Sequence, residues 1–104
     1  MRPVFIKRPR SVTVDEGDSF LVDCVADGDP QPEISWEGPT YYDLDDIKLA
    51  NNSLKFVNIE AVDSGTYFCY ADSRLGTIVA QFSINVRGKI YVEKSFFISF
   101  LIIF

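Results

Sequence analysis

Cys24 and Cys69 stand 45 positions apart, Trp36 follows the first cysteine by twelve positions, and Tyr67 precedes the second by two. No other feature narrows the fold so far, because apolar residues alternate at period two around each of these markers. In an extended chain that period sends one set of side chains to one face. Phe20, Val22, Cys24 and Ala26 form such a set; Ile34 and Trp36 form a second, Leu54 and Phe56 a third. Tyr67, Cys69 and Ala71 make a fourth, and Ala80, Phe82, Ile84 and Val86 a fifth, with Val12 and Val14 supplying an edge. Turn-forming runs fall between them: Glu16-Gly17-Asp18, Asp27 to Pro32, Glu37-Gly38-Pro39, Asn51-Asn52-Ser53, Asp63-Ser64-Gly65 and Leu75-Gly76-Thr77. Short strands separated by frequent turns predict an all-β sandwich. No stretch keeps a helical apolar stripe, and Ile59 to Gly65 offers at most a single helical turn.

The 104 residues suit one core and leave no room for a second. Net charge is −5, yet Arg2, Lys7, Arg8 and Arg10 crowd the first ten positions while most acids follow from Asp15 to Asp63. An acidic body repels phosphates, so nucleic-acid binding is not expected. The basic start reads as a solvated edge strand, where lysine and arginine discourage edge-to-edge pairing.

Taken in order, several runs resemble the immunoglobulin superfamily, and its intermediate (I-set) type in particular. They are Val12-Thr13-Val14-Asp15-Glu16-Gly17, Ala26 to Pro32 before Ile34-Ser35-Trp36, Ser53-Leu54-Lys55-Phe56, and Asp63-Ser64-Gly65-Thr66-Tyr67-Phe68-Cys69. The resemblance spans residues 3–86 and implies a Greek-key β-sandwich of two antiparallel sheets over residues 3–87. It implies that Cys24 and Cys69 lie in opposite sheets, where a disulfide would join the layers. A reduced core pair stands beside that reading, as in muscle-type relatives. A catalytic dithiol does not, for want of a C-x-x-C spacing.

The same resemblance implies a role for each marker. Trp36 packs on the sulfur pair with its indole N–H on a backbone acceptor. The Tyr67 hydroxyl returns to a backbone group a few residues upstream. Asp63 pairs with a basic residue, for which Lys48 is the nearest candidate. Gly65 serves a tight bend, and Leu54 is core.

Histidine is absent, which removes Ser-His-Asp and Cys-His machinery and most zinc sites, so no catalytic residue, metal or cofactor is expected. Asp43, Asp45 and Asp46, and Asp27 with Asp29, lack the EF-hand pattern and read as solvated loops. No phosphate-binding glycine loop is present. Asn51-Asn52-Ser53 is an N-glycosylation sequon on a predicted turn.

The function this implies is a non-enzymatic module for protein recognition or adhesion, or a spacer. Its partners are proteins and neighbouring immunoglobulin or fibronectin-like domains in a longer extracellular or cell-surface chain. Tyr41 and Tyr42 are candidate contacts, because adjacent aromatics alternate sides and leave one near the surface; packing across the turn is the competing reading. The alternative class is an intracellular, muscle-type domain with free thiols, since no secretory signal precedes Pro3-Val4-Phe5-Ile6. Residues 88–104 break the strand pattern, with eight apolar residues among the last ten. A spanning helix needs about 20. That tail therefore reads as a truncated membrane segment, flanked by Lys89 and Lys94, or as read-through from outside the domain.

Overall fold

The computed structural model describes residues 1–88. Along them run β1 (Val4–Lys7), β2 (Val12–Asp15), β3 (Phe20–Val22), β4 (Val25–Asp27), β5 (Glu33–Glu37), β6 (Leu54–Phe56), β7 (Gly65–Ser73) and β8 (Gly76–Arg87). One layer is a four-stranded sheet in the order β2-β8-β7-β5. The other is made of two ladders, β1 with β4 and β3 with β6. Because β3 and β4 are one run interrupted only at Asp23 and Cys24, the two ladders lie end to end. The alternating set from Phe20 to Ala26 keeps its inward face across the interruption, with Val22, Cys24 and Ala26 buried.

The long strands β7 and β8 form an antiparallel hairpin in continuous register from Gly65 opposite Ile84 to Ser73 opposite Gly76. At the sheet edge β2 runs parallel to β8, with Val12 opposite Ile84 and Val14 opposite Val86. This departs from purely antiparallel order. Alternation had shown which side chains of β2 face inward; which edge the strand joins is a tertiary matter.

The register explains why the marker residues meet. Trp36 stands opposite Cys69, and Cys69 opposite Ala80, so indole and sulfur share the inner face. Cys24 and Cys69 are joined across the layers with Cα atoms 6.6 Å apart, both side chains buried. The Trp36 indole N–H donates to the Asn52 carbonyl at 2.8 Å, tying β5 to the turn before β6. Leu54, fully buried, pairs with Val22 across the β3–β6 ladder.

A chain of rings fills the space between the layers. Trp36 meets Phe82 edge-on at 6.0 Å, Phe82 stacks with Tyr67 at 5.5 Å, Tyr67 meets Phe56 at 5.9 Å, and Phe56 stacks on Phe20 at 5.2 Å. Offset and edge-on pairs of this kind add about 0.5–1.5 kcal/mol each beyond the area they bury.

Two short 3₁₀ turns connect the strands. Ala61–Asp63 falls within the single turn anticipated between Ile59 and Gly65. Leu44–Ile47 was not anticipated; it drops Leu44 into the core and is opened by the Asp43 carboxylate, which accepts from the Asp45 amide. On β1, Lys7 lies 2.8 Å from Asp23, and the Arg8 guanidinium sits 5.0 Å over the Phe5 ring. Two of the four basic residues of the start are thus committed within the domain. The Lys7 ammonium and the Ser53 hydroxyl bonded to Asp23 hold its carboxyl below the usual value of 3.8.

The stretch read as a tail lies, from residue 89 onward, outside the described residues.

Candidate functional site

The chain leaves β5 at Glu37 and passes directly over the buried Tyr67. A Cβ on Gly38 would collide with the Tyr67 ring, so only glycine allows the backbone so close. Pro39 then lies against Gly65, whose φ of +146° is one that other residues rarely adopt; a Cβ there would fall 2.8 Å from Pro39 Cγ. Two glycines and one proline thereby press the β5–β6 connection onto the start of β7. Sequence reasoning had marked Gly38-Pro39 only as a turn, and had Gly65 as a bend without its reason.

Beneath this crossing the Tyr67 hydroxyl donates to the Asp63 carbonyl at 2.5 Å, the return to upstream backbone that the resemblance implied. Burial first, and then the Asp63 charge, push the Tyr67 phenol well above its ordinary value of 10. Asp63 Oδ2 accepts from the Glu60 amide at 2.9 Å, while the Glu60 side chain accepts from the Asp63 amide, so each closes the other's end of the Ala61–Asp63 turn.

The partner expected for Asp63 differs. Lys48 does not reach it: its ammonium lies 3.8 Å from Asp45 Oδ1 and donates to the Ile34 carbonyl at 3.4 Å. The preceding 3₁₀ turn sends the Lys48 ammonium to β5 while the Lys48 backbone bridges to Leu54 at the start of β6. Asp63 is 4% exposed, and besides the Glu60 amide on Oδ2 its carboxylate takes a hydrogen bond from the Tyr42 phenol.

Over Asp63 the chain places the two tyrosines differently. Thr40 Oγ1 donates to the Tyr42 carbonyl at 2.7 Å, shaping the turn that separates them. Tyr42 packs against the core, and burial followed by the Asp63 charge pushes its phenol up to about 12. Tyr41 is 75% exposed, meets Tyr42 edge-on at 5.2 Å, and donates to Glu60 Oε2 at 3.4 Å. The Glu60 charge raises the Tyr41 phenol. Alternation had said that one of the pair faces outward; it is Tyr41. Glu60, which sequence reasoning did not single out, binds the corner together from its exposed position.

The remaining marked residues lie elsewhere. Asn51 is exposed in the Leu49–Ser53 turn, where its side chain accepts from the Ser53 amide at 3.1 Å; Ser53 is buried and its hydroxyl donates to Asp23 Oδ1 at 2.5 Å. Asp27 accepts from the Gly28 amide, and Asp29 exchanges backbone contacts with Met1. The described residues contain no group of three or more histidine, cysteine or carboxylate side chains spaced to hold a metal.

A sandwich clasped by a buried disulfide, with an indole opposite one sulfur and a tyrosine corner at the base of β7, defines the class. The immunoglobulin domain model matches residues 2–73, and the chain belongs to that family. Protein sax-3 of Caenorhabditis elegans is 35% identical over 90 residues, covering 84% of this chain and 7% of its own length. Cell adhesion molecule Dscam1 of Drosophila melanogaster is 32% identical over 109 residues, covering 88% of this chain and 5% of its own length. The chain thus spans a small fraction of these relatives. Among solved structures, extracellular domains 3–5 of Drosophila OTK superpose with a TM-score of 0.72 at 30% identity, over 84% of this chain and 30% of that one.

Proposed function

We propose that this chain is a non-enzymatic immunoglobulin module for protein recognition or adhesion, one of a series in a longer extracellular or cell-surface protein. The observation that carries this reading is the closed, buried Cys24–Cys69 bond. Such bonds persist in oxidising compartments and are rare in the cytosol. Similarity to a cell adhesion molecule and to extracellular domains of tandem architecture supports the same side. It weighs against the muscle-type alternative. Residues 3–87 form the unit, and residues 88–104 lie outside it.

Two surface features belong to this proposal. Asn51 carries an N-glycan: its side chain is exposed, and because Ser53 is buried and engaged after folding, attachment precedes closure of the turn. Tyr41 is the contact residue, with the partly buried Tyr42 as its support.

The test is to express the full parent transcript with an epitope tag beside the domain. Labelling of unpermeabilised cells, and a glycosidase-sensitive mass shift abolished by N51Q, are the expected results. A tag reached only after permeabilisation, on a protein with two free thiols, would overturn the extracellular reading.

A further inference from the structure

Resting on the recognition reading above, we infer that the open edge of β3 takes up an extended acidic segment of a protein partner as an added strand. The site arises where the chain changes layers. β1 pairs with β4 from Val4 opposite Asp27 to Lys7 opposite Val25, and a continuing strand would next run beside β3. It does not. Pro9 has no N–H to give a ladder, the Ser11 hydroxyl accepts from the Ser83 amide on β8, and β2 carries on in that other layer. Among the described residues β3 therefore pairs with β6 alone. Along an antiparallel ladder the N–H and C=O groups of successive residues point alternately to either side, so part of the Phe20–Val22 backbone faces away from β6. A groove of about 720 Å³ opens there, with Phe20, Leu21 and Val22 in its wall.

Two independent features of the groove point to an occupant and to its chemistry. Leu21 on β3 and Ile6 on β1 both line it and are 56% and 64% exposed, so apolar side chains flank an unpaired edge, the arrangement on which another strand pairs. Its charged lining is Lys7, Arg8 and Arg10 against Asp23 alone, in a chain whose net charge is −5. Lys7 is held by Asp23. Arg8, seated on the Phe5 ring, and Arg10 form no ion pair among the described residues, so both charges stay unneutralised. These cations repel a second copy of the same edge and attract a strand that carries carboxylates. Main-chain bonds to β3 supply the affinity, and the arginines select for acids.

The test uses the whole chain, labelled with ¹⁵N, and acetyl-Glu-Val-Glu-Val-Glu-amide as probe. Acetyl-Lys-Val-Lys-Val-Lys-amide reverses the charge, and acetyl-Glu-Pro-Glu-Pro-Glu-amide keeps the charge but removes two backbone donors. Saturable amide shifts centred on Lys7, Arg8, Phe20, Leu21 and Val22 with the first peptide alone are expected, together with slowed hydrogen exchange within Phe20–Val22. R8Q combined with R10Q weakens binding about fivefold. Both arginines are exposed, and a retained cooperative melt verifies the fold of that variant. Equal binding of the lysine peptide, equal binding of the proline peptide, which would mark a charge patch open to any polyanion, or binding unchanged by the double variant would each overturn the inference. A cell-surface protein that takes up none of the three peptides would leave the recognition reading standing and remove this one.

Discussion

Replacing Tyr67 with phenylalanine isolates one hydrogen bond at the point where the two layers are locked. The ring keeps its neighbours Phe56 and Phe82 and stays fully buried, while the hydroxyl that donates to the Asp63 carbonyl disappears. The net worth of a typical hydrogen bond is about 0.5–1.5 kcal/mol, but a buried acceptor left unsatisfied costs about 1–3 kcal/mol. Asp63 is buried, so the larger range governs, and we expect about 2 kcal/mol of destabilisation. For a domain of this size each kcal/mol lowers the melting midpoint by roughly 4–8 °C, which predicts a fall of about 8–16 °C. Circular-dichroism melts and urea titrations at neutral pH read this directly. Y70F is the control, since the Tyr70 hydroxyl donates to Glu37 at an exposed site and its loss changes stability by no more than about 0.5 kcal/mol. A Y67F protein as stable as Y70F would refute the claim that this hydroxyl closes the corner.

Other perturbations probe neighbouring parts of the same account. G65A places a Cβ against Pro39 on a backbone at φ +146° and lowers stability by about 1–3 kcal/mol or more; P39A in the same chain restores the steric share, and chemical denaturation of the single and double variants measures it. Tyr42 has a folded pKa raised from the ordinary 10 to about 12, so its contribution is complete below pH 10 and fades as pH rises toward 12, because the unfolded chain loses that proton first. Urea midpoints across that window should fall less steeply for Y42F, and identical slopes would contradict the burial of this phenol. Asp23 has the opposite sign: its folded pKa is lowered by Lys7 and Ser53, so its contribution is present above the ordinary 3.8 and is lost as pH falls through the folded value. Acid titration of D23N should show a smaller decline, and an unchanged acid limb would contradict those two contacts.

What the sequence disclosed and what it withheld divide along a physical line. The inward sets on β5, β7 and β8 were legible because one buried face forces strict alternation, and a one-residue slip would turn Trp36, Cys69 and Phe82 outward together. The tyrosine corner was legible because its donor and acceptor lie four residues apart in one local turn. The destination of Lys48 was not. A long flexible side chain goes where its backbone aims it, and the Leu44–Ile47 turn that does the aiming is held by a buried leucine and an aspartate cap rather than by any periodic pattern. The interruption at Asp23 was hidden for a related reason. Side-chain alternation continues through it while the ladder partner changes from β6 to β1, and only the hydrogen bonding records the change. At the candidate site, adjacency of Tyr41 and Tyr42 showed that one faces outward, whereas Glu60 had no signal beyond being one acid among many.

The Cys24–Cys69 bond is the covalent tie between the two layers. Closing a loop of 45 residues contributes about 4 kcal/mol through the unfolded chain, a large part of what a small domain has. Mass analysis of a non-reduced digest of the natural protein tests it most directly. The account predicts one cross-linked peptide pair containing Cys24 and Cys69 and no alkylatable thiol; two alkylated cysteines without reductant would contradict it.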